Sequence, residues 1–181
     1  MTAKFSVIQA DISLLAAEAI VNAANEPLVM GGGVDGAIRR KAGPGMETEI
    51  RAIGRCPTGE ATITRGHALA AKFVIHTVAP IWSGEQAQRE SDIRLLANCY
   101  GNSLALARAN AIAEIAFPCL GTGIYGWPAD LAAQTAFRAV CASVQKQDGI
   151  AHVIFCCFSP ADLDRYGVLV WDHPAQSRPP S

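Results

Sequence analysis

The sequence predicts an α/β domain in which helices cover most of a central β-sheet. Six short β-rich runs alternate with segments of helical periodicity along the 181 residues. Two of these runs, 73–75 and 153–158, are apolar throughout, as expected of strands buried on both faces. At ~100–200 residues per domain, the length predicts one domain, residues 1–172. Residues 173–181 contain three prolines and are predicted to form a flexible tail.

Each predicted strand is justified by its own residue pattern. The run 61–64 alternates alanine or isoleucine with threonine, which is typical of a half-exposed strand, whereas the other runs are mainly apolar. In chain order, the predicted strands are 5–8, 19–21, 61–64, 73–78, 115–118 and 153–158.

Three helices are predicted between these strands. The first follows Val34, extends as far as Ala42 and ends at Gly43-Pro44. The second, 91–109, has apolar residues at three- and four-residue steps, with Ser91 as its predicted N-cap. The third, 129–146, begins after Pro128 and ends at a turn signal, residues 147–149.

Charge and composition exclude several classes of protein. The chain has 15 Lys and Arg against 16 Asp and Glu, a net charge of -1, so it is neither a disordered acidic chain nor a basic protein. Nucleic-acid binding through massed positive charge is therefore disfavoured. The N-terminus lacks a secretory signal, and no apolar run approaches the ~18 residues of a membrane span. We therefore expect a cytoplasmic protein with no membrane partner.

The cysteines and histidines do not predict a metal site or a catalytic triad. None of the six cysteines forms a C-x-x-C pair, so neither a zinc site nor a disulfide framework is indicated, and we expect buried free thiols. The four histidines are dispersed, and no G-x-S-x-G motif accompanies them. A hydrolase with a Ser-His-acid triad is therefore disfavoured.

Two glycine-rich segments, 31–36 and 121–126, each lie between a predicted strand and a predicted helix. Glycine lets backbone N–H groups approach an anion closely, and the N-terminus of the following helix adds about half a positive charge. Neither segment is a Walker loop or fits G-x-G-x-x-G. Because open α/β sheets bind ligands at the carboxyl ends of their strands, the two segments together predict a diphosphate site.

Four polar or aromatic residues near these strand ends have two interpretations each. Asp35 is either a helix N-cap or a carboxylate that orients or deprotonates water or binds a sugar hydroxyl. Asn25 is either a turn residue before Pro27 or an amide that holds a ribose hydroxyl. Asp11 either caps a turn or accepts a hydrogen bond from an adenine amino group. Phe158 either belongs to the core, which its local sequence favours, or stacks on a base.

The combination of motifs resembles the macrodomain family. The similarity spans about residues 5–166 and is closest to the MacroD-type branch, which includes bacterial O-acetyl-ADP-ribose deacetylases. Its motifs, in family order and spacing, are residues 10–13, 20–25, 31–38, 56–61, 74–80, 116–118 and 121–128. Met30, Arg39, Gly121 and Trp127 differ from the residues usual in the family.

This resemblance implies a three-layer α/β/α sandwich with a six-stranded mixed sheet and an ADP-ribose cleft at its strand ends. It places Asp11 and Phe158 at the adenine, the backbone of the 121–125 loop at the diphosphate, and Asn25 at the distal ribose. The residues that it assigns to ligand binding are Asp11, Ile12, Asn25, Gly32, Gly33, Val34, Asp35, Gly121, Thr122, Gly123, Ile124, Tyr125 and Phe158.

The activity implied by the resemblance is hydrolysis of acyl groups from the distal ribose. The substrates would be O-acetyl-ADP-ribose and proteins carrying mono-ADP-ribose on acidic side chains. Asp35, Asn25 and Tyr125 would be the catalytic residues, water would be the nucleophile, and no metal or cofactor would be required. Two alternatives remain open: a non-catalytic ADP-ribose reader, and a regulator that contacts a ribonuclease or RNA.

Overall fold

The computed structural model describes residues 3–144 and 149–171. Its six strands form one mixed sheet in the order β1-β6-β5-β2-β4-β3, in which β3 is antiparallel to β4 and the other pairs are parallel. The strands are β1 (Lys4–Gln9), β2 (Ala19–Ala23), β3 (Ala61–Arg65), β4 (Phe73–Thr77), β5 (Glu114–Phe117) and β6 (His152–Cys157). The predicted α/β fold with a mixed six-stranded sheet is therefore confirmed.

Within residues 3–144 and 149–171, five helices cover the two faces of this sheet. They are α1 (Gly33–Ala42), α2 (Pro44–Ile53), α3 (Arg89–Ala109), α4 (Ala129–Val144) and α5 (Pro160–Trp171), and a 3₁₀ turn follows β1 at Ile12–Leu14. Successive strand residues point to opposite faces, so β6 gives Val153 and Phe155 to the core under α3, α4 and α5, and Ile154 to the core under α1 and α2. The result is the three-layer sandwich.

Two helices were absent from the sequence prediction, and both begin with proline. The residues Gly43-Pro44 end α1, as predicted, but Gly43 has a φ of 78° and turns the chain directly into α2, with Pro44 at its first position. Helix α5 begins at Pro160 after Ser159, whose hydroxyl accepts a hydrogen bond from the Asp162 N–H at 3.1 Å. Proline at these positions is compatible with a helix because the first-turn N–H groups have no intrahelical partner.

The predicted start of α3 is wrong. The helix begins at Arg89 after Gln88, and Ser91 lies within its first turn instead of capping it. The predicted end of α4 at residue 146 and the tail 173–181 lie outside the described residues. Within the described ranges, no helix is long and apolar enough to cross a membrane.

The parallel order places the carboxyl ends of β1, β6, β5 and β2 along one edge of the sheet. The segments that leave these four ends are the 3₁₀ turn, the start of α5, the 119–128 loop and the 24–32 segment. All six cysteines are free thiols, and four of them, Cys56, Cys99, Cys156 and Cys157, are buried.

Candidate active site

A cleft in two halves lies along this edge of the sheet. One half has a volume of about 420 Å³ and the other about 260 Å³, and both are lined by Gly33, Val34, Cys119 and Gly123. The larger half also contains Asp11, Ile12, Thr122 and Phe158, and the smaller half contains Asn25, Gly32, Asp35, Gly121, Ile124 and Tyr125. The structure thus brings all thirteen residues of the sequence-derived binding set to one cleft.

At the outer end of the larger half, Phe158 is 80% exposed. It follows the last residue of β6, where the sheet and its covering helices no longer bury the chain. The core interpretation of Phe158 is therefore wrong, and its ring is available to stack on a planar ligand.

Asp11 caps a turn, which is the first of the two interpretations considered for it. Its Oδ1 accepts hydrogen bonds from the Ser13 N–H at 2.9 Å and the Ser13 hydroxyl at 2.6 Å, so it caps the 3₁₀ turn. The hydroxyl contact lowers the pKa of Asp11, which keeps the carboxylate ionised at neutral pH. Neither of these hydrogen bonds uses Oδ2, which leaves that oxygen as an acceptor in the cleft beside the buried Ile12.

Asp35 does not cap α1 in the way the sequence suggested. The N-cap is Gly32, and Asp35 is the third residue of the helix, with its carboxylate turned back toward the chain before the helix. Its Oδ2 accepts a hydrogen bond from the Gly31 N–H at 2.6 Å, which fixes the first glycine segment against α1. The N-cap interpretation is therefore wrong.

The other carboxylate oxygen of Asp35 accepts a hydrogen bond from the first of three buried polar side chains, which lie on the neighbouring strands β2, β4 and β3. Asn22 Nδ2 donates to Asp35 Oδ1 at 2.6 Å and lies 3.0 Å from His76 Nδ1. Because the amide nitrogen is a donor, His76 Nδ1 must accept, and His76 Nε2–H donates to the Thr64 hydroxyl at 2.9 Å. All four side chains are buried, so the orientation of Asp35 is set from beneath the cleft.

A charged pair holds Asp35 from the other side. Arg39 lies one turn further along α1, with its NH1 3.8 Å from Asp35 Oδ2. Its guanidinium donates two hydrogen bonds to the Glu47 carboxylate, one from Nε at 2.7 Å and one from NH2, and a third to the Leu28 carbonyl at 2.9 Å. These contacts raise the pKa of Arg39 and lower that of Glu47.

Asn25 closes the segment between β2 and α1 on itself. Its Nδ2 donates to the Val29 carbonyl at 2.9 Å, and its Oδ1 accepts from the Val29 N–H at 3.0 Å. The turn interpretation is therefore confirmed. One N–H of the amide is not used in these bonds, and because Asn25 lines the smaller half of the cleft, it can also serve a ligand.

Glu26 fastens the same segment to the chain before β3. Its carboxylate accepts hydrogen bonds from the Thr58 hydroxyl at 2.7 Å, the Thr58 N–H at 2.9 Å and Arg55 at 2.7 Å. The Thr58 hydroxyl is the largest cause that lowers the pKa of Glu26 to about 2. Glu26 is therefore ionised at neutral pH, and its hydrogen bonds hold the residue after Asn25 in place.

The second glycine loop is shaped by Trp127. Gly121 has a φ of 84°, and a Cβ at this position would lie 2.7 Å from the Trp127 ring. The indole is buried, donates from Nε1 to the Pro80 carbonyl at 2.8 Å, and lies 4.7 Å from the Trp82 ring centre. Gly121 and Trp127, which both differ from the family pattern, therefore fit each other.

Tyr125 stands at the end of this loop, between the second glycine loop and the segment after β4. Its carbonyl accepts a hydrogen bond from the Trp82 N–H at 2.9 Å. Burial raises the pKa of the Tyr125 hydroxyl, so the phenol is neutral and can donate a hydrogen bond into the smaller half of the cleft.

Sequence reasoning missed the residues that support Asp35, namely Asn22, Thr64, His76, Arg39 and Glu47. Asn22 and His76 stand in apolar strands, which was a signal: a polar residue in such a run must find a buried partner. Nothing local linked Arg39 to Glu47, because the two lie on different helices.

A second hydrogen-bonded group lies near the opposite end of the sheet. Ser6 Oγ is 2.8 Å from His152 Nε2, and His152 Nδ1 is 2.9 Å from Glu114 Oε2. The sequence disfavoured a catalytic Ser-His-acid triad. The neighbouring strands β1, β6 and β5 nevertheless bring a serine, a histidine and a glutamate within hydrogen-bonding distance. Neither half of the cleft includes these residues.

Replacing Gly36 with alanine is expected to destabilise the protein by about 1–3 kcal/mol. A Cβ at this buried position of α1 would lie 2.7 Å from the Gly31 carbonyl oxygen, which is backbone and forms part of the cleft. Urea unfolding measures the change. The matched control is Gly101→Ala in α3, where the nearest atom is 3.9 Å away. There the better helix propensity of alanine should be neutral or stabilising by up to ~1 kcal/mol, and equal effects of the two substitutions would contradict the packing argument.

The stability of the protein is expected to fall as the pH is lowered from 6.5 toward 4. Burial, with a smaller contribution from the Arg39 charge, lowers the pKa of His76 from 6.5 to about 4, while the charge of Glu47 opposes this shift. The unfolded chain therefore binds a proton in this window that the folded chain does not, and unfolding is favoured by on the order of 3 kcal/mol at its lower end.

Urea unfolding at pH 7 and at pH 5 measures this dependence. In His76→Gln the slope between the two pH values should become smaller, because glutamine does not take up a proton in this range. An unchanged slope in His76→Gln would show that another group causes the loss.

Comparison with known proteins gives consistent matches over nearly the whole chain. The family model described as "Macro domain" matches residues 21–136. An O-acetyl-ADP-ribose deacetylase from Cronobacter sakazakii is 42% identical over 180 residues, which is 97% of this chain and 98% of the relative. An ADP-ribose glycohydrolase MACROD2 from Xenopus laevis is 48% identical over 164 residues, 90% of this chain but 39% of that longer protein.

A solved structure shows the same architecture. The macrodomain of Oceanobacillus iheyensis with ADP superposes with a TM-score of 0.86 at 36% identity, over 93% of this chain and 90% of that one.

Proposed function

The chain belongs to the macro domain family, and from this premise we propose that it is a hydrolase of acylated ADP-ribose. Its substrates are O-acetyl-ADP-ribose and proteins that carry mono-ADP-ribose on acidic side chains. The observation that carries the proposal is the buried Asp35 carboxylate, held at the lining of the smaller half of a cleft that also contains both glycine-rich segments.

The larger half of the cleft suits the adenosine. Asp11 Oδ2 is an acceptor for the adenine amino group, Ile12 gives an apolar floor, and the exposed Phe158 ring stacks on the base. The diphosphate lies between the two glycine segments, where the backbone N–H groups of the 121–125 loop and the N-terminus of α1 bind its oxygens.

The distal ribose and its acyl group occupy the smaller half, between Asn25 and Tyr125. Water attacks the acyl carbon, the ester bond to the ribose oxygen breaks, and the products are a carboxylic acid and ADP-ribose. Each oxygen of Asp35 already accepts one hydrogen bond and retains another lone pair, so the carboxylate can hold the attacking water in a fixed orientation. Asn25 binds the ribose, and the Tyr125 phenol borders the water.

We further propose that the reaction needs no redox cofactor, because hydrolysis of an ester changes no oxidation state, and no metal, because the Asp35 carboxylate orients the attacking water. Activity that persists after treatment with a chelator would support this. We also propose a cytoplasmic location, where the six free thiols stay reduced.

Turnover assays with O-acetyl-ADP-ribose and with a glutamate-linked mono-ADP-ribosylated protein test the proposal. Release of acetate from the first and of ADP-ribose from the second are expected. Absence of both products, with folded protein that binds ADP-ribose in calorimetry, would identify a reader and not an enzyme.

Replacing Phe158 with alanine is expected to weaken ADP-ribose binding without destabilising the fold. Base stacking on an aromatic ring contributes ~1–3 kcal/mol, so Kd should rise by roughly 5- to 150-fold. Because the ring is 80% exposed, the urea unfolding midpoint should not move. Calorimetry with ADP-ribose measures Kd, and Val168→Ala, an exposed apolar residue on α5, is the control. An unchanged Kd would remove Phe158 from the binding site.

A further inference from the structure

We propose that Arg39, paired with Glu47, is a positioning residue for the hydrolysis, which holds Asp35 and the 25–31 segment in register without touching the substrate. This inference rests on the proposed function. The juxtaposition that carries it is a buried guanidinium that contacts the Asp35 carboxylate, the Leu28 carbonyl and the Glu47 carboxylate at once.

The burial of Arg39 shows that these contacts are specific. The residue is 4% exposed, and a charge removed from water is tolerated where it is paired and hydrogen-bonded. Three of its nitrogens donate hydrogen bonds, two to Glu47 and one to Leu28. Arg39 lines neither half of the cleft, so any effect that it has on the reaction passes through other residues.

The first of these residues is Asp35, four positions earlier on the same face of α1. Its two hydrogen-bond donors, Asn22 Nδ2 and the Gly31 N–H, are neutral. Arg39 supplies the positive charge that the hydrogen bonds do not, at 3.8 Å from Oδ2. It therefore draws the carboxylate toward the base of the 25–31 segment, which fixes the direction in which the remaining lone pairs point.

The second route is the backbone of Leu28. This residue has a φ of 52°, in the left-handed region that a branched side chain rarely adopts, so the segment keeps this shape because neighbouring contacts impose it. Arg39 NH1 donates a hydrogen bond to the Leu28 carbonyl at 2.9 Å. The backbone of the next residue, Val29, is hydrogen-bonded to both Nδ2 and Oδ1 of Asn25. One guanidinium thus links the positions of Asp35 and Asn25, the two groups that flank the acyl bond.

Glu47 fixes the guanidinium itself. It belongs to α2, and its two carboxylate oxygens accept parallel hydrogen bonds from Nε and NH2 of Arg39. The ammonium group of lysine cannot reproduce this bidentate geometry. An Arg39→Lys variant keeps the charge but loses the bidentate pair, and its single ammonium cannot reach Glu47, Leu28 and Asp35 together. A Glu47→Gln variant keeps the shape of the partner and loses its charge.

The test compares kcat for O-acetyl-ADP-ribose with the Kd of ADP-ribose in Arg39→Lys, Glu47→Gln and the double variant. Displacement of catalytic groups by about 1 Å costs up to ~100-fold in rate, so we expect kcat to fall by roughly 10- to 100-fold in Arg39→Lys, and by less in Glu47→Gln. The Kd of ADP-ribose should stay within about threefold, because adenine and diphosphate contacts are unaffected. The double variant should be no slower than Arg39→Lys alone, because both changes break one contact.

The control is Arg108→Lys. Arg108 is a half-buried arginine that joins α3 to α4 through the Ser143 carbonyl at 2.9 Å, on the other face of the sheet, and kcat should not change in this variant. The inference would be overturned if Arg39→Lys kept its kcat within twofold, or if kcat and the affinity for ADP-ribose fell equally. Glu47→Gln provides the same test if Arg39→Lys does not fold. Absence of turnover in the parent protein would instead remove the proposed function, so the two failures are distinguishable.

Discussion

Asp35→Ala is expected to lower kcat for both substrates by on the order of 100-fold or more, the typical contribution of a positioned acid or base group. The carboxylate lines the smaller half of the cleft, where we propose that it orients the water, and its direction is fixed by Asn22 and Gly31. Steady-state release of acetate, followed at saturating O-acetyl-ADP-ribose, measures the effect.

Loss of the carboxylate also leaves the buried Asn22 N–H without its acceptor, at a cost of about 1–3 kcal/mol, and the half-buried Gly31 N–H without its own. Rates must therefore be compared at a temperature where unfolding curves show that the variant is native. Asp92→Asn is a matched control, because Asp92 is equally a buried carboxylate that accepts hydrogen bonds, here from Ser83, but lies in α3 away from the cleft. If native Asp35→Ala retained a tenth of the parent kcat, the assignment of Asp35 as the water-holding group would be wrong.

Trp127→Ala is expected to destabilise the protein by about 3–5 kcal/mol, the usual cost of removing a large buried aromatic side chain. The ring is 4% exposed, donates a hydrogen bond to Pro80 and packs against Trp82. Its removal also deprives Gly121 of the surface against which the second glycine loop is folded. Urea unfolding gives the change in stability, and calorimetry with ADP-ribose should show a parallel loss of affinity.

The control for the change in stability lies in the same loop. Ile124 is 97% exposed, and Ile124→Ala should change stability by less than about 0.5 kcal/mol. If Trp127→Ala lost stability but bound ADP-ribose normally, the loop would hold its shape without the indole.

The sequence predicted the sheet well because burial of strands leaves a local mark. Residues 153–157 are apolar without interruption and form the strand that the pattern indicated, β6. Helices α2 and α5 were missed for an equally local reason: proline was read as the end of a helix at Pro44 and was not weighed as a start at Pro160. The first position of a helix is where proline is tolerated, and Ser159-Pro160 was a usable signal.

Prediction of the site was limited in a different way. The glycine segments and Asp35 were found because their backbone and charge requirements are written in short motifs. The groups that support Asp35 could not be found in this manner. Asn22 reaches it from β2 with His76 of β4 behind it, and Glu47 of α2 acts on it only through Arg39. Phe158 was misjudged in isolation because an aromatic residue at the end of an apolar run gives no indication of where the covering layer stops.

The two hydrogen bonds between the Asn25 amide and the Val29 backbone lower the entropy cost of binding a ligand in the cleft. The segment proposed to receive the distal ribose is already ordered in the free protein, since Asn25 is hydrogen-bonded to Val29 within it, and Glu26 and Leu28 are hydrogen-bonded to Thr58 and Arg39 outside it. The loss of conformational entropy that accompanies this order occurs during folding and does not recur when the ligand arrives. A ligand as polar as ADP-ribose can therefore be bound tightly by a small number of hydrogen bonds, because few of them are offset by the ordering of a loop.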